Sequence, residues 1–149
     1  MTEPAHGGKT RQDPSKPFVY DAAVRWSDMD AYGHVNNARF LTLYEEARVA
    51  MFFVGARAHG LGSFEEGIVI ARHEIDYLRP VDYGHPVRIE MWISELRSAS
   101  FTVAYELYDE GKLASRARSV CVPFNLEAGF PRRLSQAERD FLEPYLRTG

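Results

Sequence analysis

Apolar and polar residues begin to alternate at Phe18. Phe18, Tyr20, Ala22 and Val24 interleave with Val19, Asp21, Ala23 and Arg25, the period-two signature of a strand with one buried face, expected over Phe18 to Trp26. A polar loop follows, Ser27-Asp28-Met29-Asp30-Ala31-Tyr32-Gly33-His34. From Asn37 to about Gly55 apolar residues return at helical spacing. Phe40, Leu41, Leu43, Tyr44, Ala47, Ala50, Met51 and Val54 do not fit one narrow stripe. Such a helix is expected to be largely enclosed, and at 1.5 Å per residue it runs roughly 27 Å.

After a glycine-rich connection (Gly55, Gly60, Gly62, Gly67) the period falls back to two. Ile68 to Leu78 is one strand, stopped by Pro80. Val87, Ile89, Met91 and Ile93 mark a second, and Phe101, Val103, Tyr105 and Leu107 a third. Asp109-Glu110-Gly111-Lys112 is a hairpin connection, and Leu113 to Phe124 the last strand. Ser135 then starts a short helix, with Glu138 at capping-box spacing and Pro144 to kink or end it. One strand, a greasy helix and four strands in meander predict an α+β fold: a curved antiparallel sheet of about five strands around one long helix.

Composition narrows the function classes. The 149 residues argue for one domain, taken as 18–149, with the polar, Pro/Gly-rich residues 1–17 as a mobile tail. Eighteen basic against 21 acidic residues leave a net charge of −3, which excludes a general attraction to nucleic acid. No apolar run reaches the roughly 20 residues of a membrane helix, and residues 1–17 hold no apolar block of a secretory signal. The single Cys121 forms no intrachain disulfide, so a cytoplasmic location is expected.

Three short stretches carry the resemblance to known chemistry. The stretch Asp30-Ala31-Tyr32-Gly33-His34-Val35-Asn36-Asn37-Ala38-Arg39-Phe40, with Glu45-Glu46-Ala47-Arg48 after it and Tyr77-Leu78-Arg79-Pro80-Val81 further on, resembles the hotdog-fold thioesterases related to 4-hydroxybenzoyl-coenzyme A thioesterase. It is closest to the bacterial branch acting on acyl-coenzyme A esters. The resemblance runs from about Phe18 to Asn125. It implies a sheet wrapped round a central helix, an acyl-coenzyme A substrate of medium or long chain, no cofactor, and a homodimer with joined sheets or a homotetramer. It also places Asp30 at the catalytic carboxylate and the Asn37 backbone N–H where it polarises the thioester carbonyl. Arg97 falls where that family begins a basic run on the nucleotide phosphates, but Ser98 and Ala99 follow it here in place of further basic residues.

A thioester carbonyl is already electrophilic, so hydrolysis needs an activated water and a place for the negative oxygen. Asp30 supplies the first as general base, or attacks the carbonyl itself to form a mixed anhydride; both remain open. The unpaired N–H groups and positive dipole end of the helix supply the second. His34 either orients Asp30 or the substrate, or packs in the loop. Asp28 is a loop hydrogen-bonding residue, Asn36 a helix cap, Glu45 or Glu46 a water-positioning group or Glu45 a surface partner of Arg48. His73 and Cys121 are structural, and no ligand cluster supports a metal. The rival functions are a hotdog enoyl-thioester hydratase or dehydratase, which needs a carboxylate and a histidine acting together, and a non-catalytic acyl-coenzyme A-binding domain, which would not need Asp30.

Overall fold

The computed structural model describes residues 16–147. The expected tail lies outside them apart from Lys16 and Pro17. Strand β1 (Phe18–Ala22) leads into a 3₁₀ turn (Trp26–Asp28) and the polar loop. Helix α1 (Arg39–Val49) continues through a π-helical stretch (Ala50–Gly55) and a last α turn (Ala56–Ala58). It starts two residues later than its apolar pattern suggests and runs past Gly55. Four long strands follow, β2 (Ile68–Tyr77), β3 (Val87–Leu96), β4 (Phe101–Asp109) and β5 (Lys112–Asn125), then the short β6 (Phe130–Pro131) and helix α2 (Gln136–Leu142).

The five main strands form one antiparallel sheet in the order β1-β3-β4-β5-β2, with β6 attached to β5. The expected meander therefore holds only for β3, β4 and β5. β2 pairs with β5 at the far edge instead of with β3. The link from β2 to β3 spans residues 78–86 and contains Pro80 and Pro86, too long and too rigid for a tight hairpin, so it crosses the end of the sheet. β4 and β5 are joined as the pattern predicted, with Glu110 and Gly111 both at positive φ (50° and 78°), the geometry of a two-residue hairpin turn.

Each of the three long pairings contains a register shift, at Ile70/Arg72, Ile93/Glu95 and Leu107/Tyr108. Such bulges sharpen twist and bend, and the sheet curls round α1. Val87, Ile89, Met91 and Ile93 all point inward and are fully buried, as their spacing required. They meet Phe40, Leu43, Tyr44, Ala47 and Met51 on one side of the helix. The other side is not enclosed within this chain: Leu41, Val49, Phe53 and Val54 stay exposed, where a largely enclosed helix was expected. Only one face of a single curled sheet is available to it.

The capping box at α2 forms as its spacing indicated. The Glu138 N–H donates to Ser135 Oγ (3.1 Å) and the Ser135 N–H to Glu138 Oε1 (2.8 Å). Glu138 is completely buried, where it accepts Arg132 Nη1 (2.7 Å) and the Ser63 hydroxyl (2.9 Å). The lock ties α2 to the turn that precedes β2.

Candidate active site

The loop between β1 and α1 is built by its own main chain. Met29 and Val35 pair as an antiparallel bridge, and the Asp30 N–H donates to the His34 carbonyl across the neck (2.7 Å). Gly33, at φ 79°, closes the tip in the left-handed region that other residues avoid. Asp30 Oδ1 accepts the N–H groups of Tyr32 (2.8 Å) and His34 (3.1 Å). The carboxylate is thus fixed by two backbone donors through one oxygen, leaving Oδ2 without a hydrogen bond among the described residues.

Asp28 does a different job. It is buried, its Oδ2 accepts the Arg25 N–H (2.9 Å), and its backbone carbonyl accepts the Asn36 N–H (2.8 Å). It holds the loop in place, as expected of it. Asn36 Oδ1 accepts the Ala38 N–H (3.0 Å), one turn ahead of the first α-helical residue. The Asn37 N–H has no acceptor among the described residues, while its carbonyl receives the Tyr77 hydroxyl from β2 (2.8 Å). The Tyr77 ring also meets Phe40 edge-on, centroids 5.1 Å apart.

Asp30, Asn37, Phe40, Tyr77 and Arg79 line one open cleft of about 490 Å³. The structure therefore brings together the carboxylate and the helix start that the sequence singled out. It adds Tyr77 as a brace for Asn37, which the sequence showed only as part of the Tyr77-Leu78-Arg79-Pro80-Val81 element. His34 lines the same cleft, but its Nε2 lies 3.6 Å from Asp82 Oδ1 on the β2–β3 link. Its hold on Asp30 is through its backbone N–H.

Arg97 and Ser98 are not near this cleft in one chain. They form the β3–β4 turn, where Arg97 Nε donates to Glu95 Oε1 (2.7 Å) and the Ser98 carbonyl accepts the Leu134 N–H (3.0 Å). The ten residues of β3 separate them from the Asp82 end of the sheet, roughly 30 Å at the rise of a strand. Of the two helix acids, Glu46 pairs with Arg25 (2.8 Å). Glu45 and Arg48 do not pair; Arg48 Nη1 turns inward to the Tyr105 hydroxyl (3.0 Å). His73 Nδ1 bonds the Ser119 hydroxyl (2.7 Å), and burial pushes the Cys121 thiol up to about 12, so neither is poised for chemistry.

Comparison with known proteins decides the family. A model of the thioesterase-like superfamily matches residues 24–144. The chain belongs to that superfamily. Among its relatives is a 1,4-dihydroxy-2-naphthoyl-CoA hydrolase of Gloeothece citriformis, 31% identical over 113 residues that cover 70% of this chain and 78% of the relative. A thioesterase from Thermus thermophilus, solved with coenzyme A and zinc, superposes with a TM-score of 0.72 at 33% identity, covering 85% of this chain and 92% of the other. A predicted thioesterase from Bacillus stearothermophilus gives 0.78 at 27% identity, over 89% and 98% of the two chains. The curled sheet around α1 is the hotdog fold of these thioesterases, and the protein is a thioester hydrolase.

Proposed function

We propose that this thioesterase hydrolyses acyl-coenzyme A to the free acid and coenzyme A, with Asp30 as its catalytic carboxylate. The observation that carries the proposal is the shared cleft: Asp30, whose Oδ2 takes no hydrogen bond, and Asn37, whose N–H has no acceptor among the described residues, line the same space. In the reaction a water oxygen, or Asp30 Oδ2 itself, bonds to the thioester carbon, and the developing oxyanion lies against the Asn37 N–H. On the water route Asp30 takes the proton of the attacking water, the C–S bond then breaks, and the thiolate leaves with that proton. On the direct-attack route the thiolate leaves first, and the water that cleaves the resulting anhydride frees Asp30 and supplies the proton that the thiolate takes up. One oxyanion donor is worth about 3–4 kcal/mol in the transition state. Tyr77 fixes that donor by holding the Asn37 carbonyl.

The placement of His34 argues against the hydratase alternative, because its imidazole turns to Asp82 and not to Asp30. An acid with no structural duty beyond its own loop argues against a binding domain without catalysis.

The chain acts as a homodimer or homotetramer in this proposal. β2 is an open edge strand beside the exposed apolar side of α1, and two such edges pair antiparallel about a two-fold axis. That pairing carries the partner subunit's Arg97 to the side of the assembly that holds Asp30, which reconciles Arg97 and Ser98 as phosphate contacts with their distance inside one chain. The single buried Cys121 fits the cytoplasm. Among the described residues no helix is long and apolar enough to cross a membrane.

For the acyl group, the apolar groove of Val49, Phe52, Phe53, Ile68 and Ile70 supports a medium or long aliphatic chain. The naphthoyl-CoA hydrolases among the relatives support a bicyclic aromatic one. Initial rates of thiol release from acetyl- to palmitoyl-coenzyme A, with an aromatic thioester alongside, separate the two. Absence of turnover on all of them would overturn the proposal.

A further inference from the structure

The groove beside the open edge holds two ions that the chain does not neutralise. Glu45 and Arg48 both line it, together with Val49, Phe53, Ile68 and Ile70. Three residues apart on a helix they have the spacing of an ion pair, yet no ion pair forms between them. Among the described residues Arg48 has a neutral phenol as its hydrogen-bond partner, and Glu45 has no ionic partner. A half-buried guanidinium without a counter-charge carries an uncompensated desolvation cost. An apolar surface with one free charge of each sign invites a copy of itself.

The level of these residues on the sheet fixes where that copy sits. Arg48 reaches the Tyr105 hydroxyl, which also bonds Ser119, and Ser119 stands opposite His73 at the centre of β2. A two-fold axis through the centre of β2 therefore passes close to residues 45–48 of α1. Around such an axis contacts are reciprocal: if residue i meets residue j, then j meets i.

We propose that Glu45 of each subunit pairs with the partner subunit's Arg48, two ion pairs astride the axis that set the register of the dimer. This rests on the dimer put forward above and adds the contact that selects the partner. It gives Arg48 the anion that its own chain withholds. Leu41, Val49 and Phe53 lie on the same exposed side of α1 and supply the apolar contact around the pairs.

The test is charge reversal with mixing, read by sedimentation velocity. Glu45→Arg sets arginine against arginine twice per dimer and should weaken dimerisation at least about tenfold, by the coupling of close interfacial charges. Arg48→Glu sets acid against acid and should do the same. Mixed in equal amounts the two restore both pairs, so a heterodimer should form where neither variant dimerises alone. An intrachain Glu45–Arg48 pair would give no rescue on mixing. Should Arg48→Glu fail to fold for want of its bond to Tyr105, Arg48→Gln keeps a donor there. Its mixture with Glu45→Arg should then favour the heterodimer over both homodimers. A monomeric wild-type protein would overturn the dimer itself. A dimeric wild type with an equally dimeric Glu45→Arg, or a mixture without heterodimer, would overturn the ion pairs and leave the dimer standing.

Discussion

Replacing Asp30 with Asn separates the chemistry of this side chain from its place in the loop. Asp30→Asn keeps an oxygen where Oδ1 accepts the Tyr32 and His34 N–H groups at 2.8 and 3.1 Å, so the loop should keep its shape. Both hydrogen bonds lose their ionic character, which costs about 1–2 kcal/mol of stability in total, or a few degrees in Tm for a chain of this size. The amide that replaces Oδ2 is neither basic nor nucleophilic. Loss of a general base costs about 10²–10⁴ in rate, equivalent to about 2.7–5.4 kcal/mol on the barrier. Asp28→Asn should behave in the opposite way. That buried acid caps the Arg25 N–H and lies 4.0 Å from Arg39, so its loss should lower Tm while turnover stays within about tenfold. The assay is thiol release at saturating acyl-coenzyme A, with thermal melts of both variants. A folded Asp30→Asn protein that turns over near the wild-type rate would refute the assignment.

Tyr77→Phe keeps the edge contact with Phe40 and removes the bond to the Asn37 carbonyl. It should lower kcat several-fold with a stability loss of about 1 kcal/mol, the worth of one hydrogen bond, in the same kinetic and melting assays. Arg97→Ala should raise KM for acyl-coenzyme A more than it lowers kcat, and should spare a pantetheine thioester that lacks the nucleotide; equal effects on both would count against a phosphate contact. At Glu138, burial opposes ionisation, but Arg132, the Ser135 N–H and the Ser63 hydroxyl outweigh it and hold the carboxyl below its ordinary value. The stabilisation is therefore complete above the ordinary carboxylate value and is lost as pH falls through the depressed one. Melting from pH 7 to pH 3 should show that loss. Glu138→Gln should melt lower at pH 7, by about 3 kcal/mol for a broken buried pair, and lose less on acidification.

Periodicity was a good guide wherever one residue's environment follows from its neighbours. The inward set Val87, Ile89, Met91, Ile93, the Glu110-Gly111 turn and the Ser135/Glu138 cap all depend on local spacing, and all appear as expected. The position of β2 at the far edge depends on how a nine-residue link crosses the sheet, which no local pattern encodes. The helix showed the same limit: its apolar residues were visible, but which of them a single sheet could cover was not. At the site, Asp30 and Asn37 stand in one contiguous motif and were legible. Tyr77 lies 40 residues from Asn37, and only the fold makes them neighbours. The inward turn of Arg48, away from Glu45, likewise follows from Tyr105 on a strand more than 50 residues distant.

That Asp30 is oriented by main-chain N–H groups has a consequence for how freely the loop can vary. Amide donors are common to every residue but proline, so the carboxylate keeps its aim whatever side chains occupy positions 31, 32 and 34. Only Gly33 is restricted, by its left-handed backbone. A saturation library across these positions should tolerate most substitutions at Ala31 and Tyr32, reject proline at Tyr32 and His34, and reject nearly everything at Gly33. With Asp30 in its proposed catalytic role, the loop would be open to recolouring for new substrates by exchange of the exposed side chains beside the carboxylate, without rebuilding the scaffold that points it.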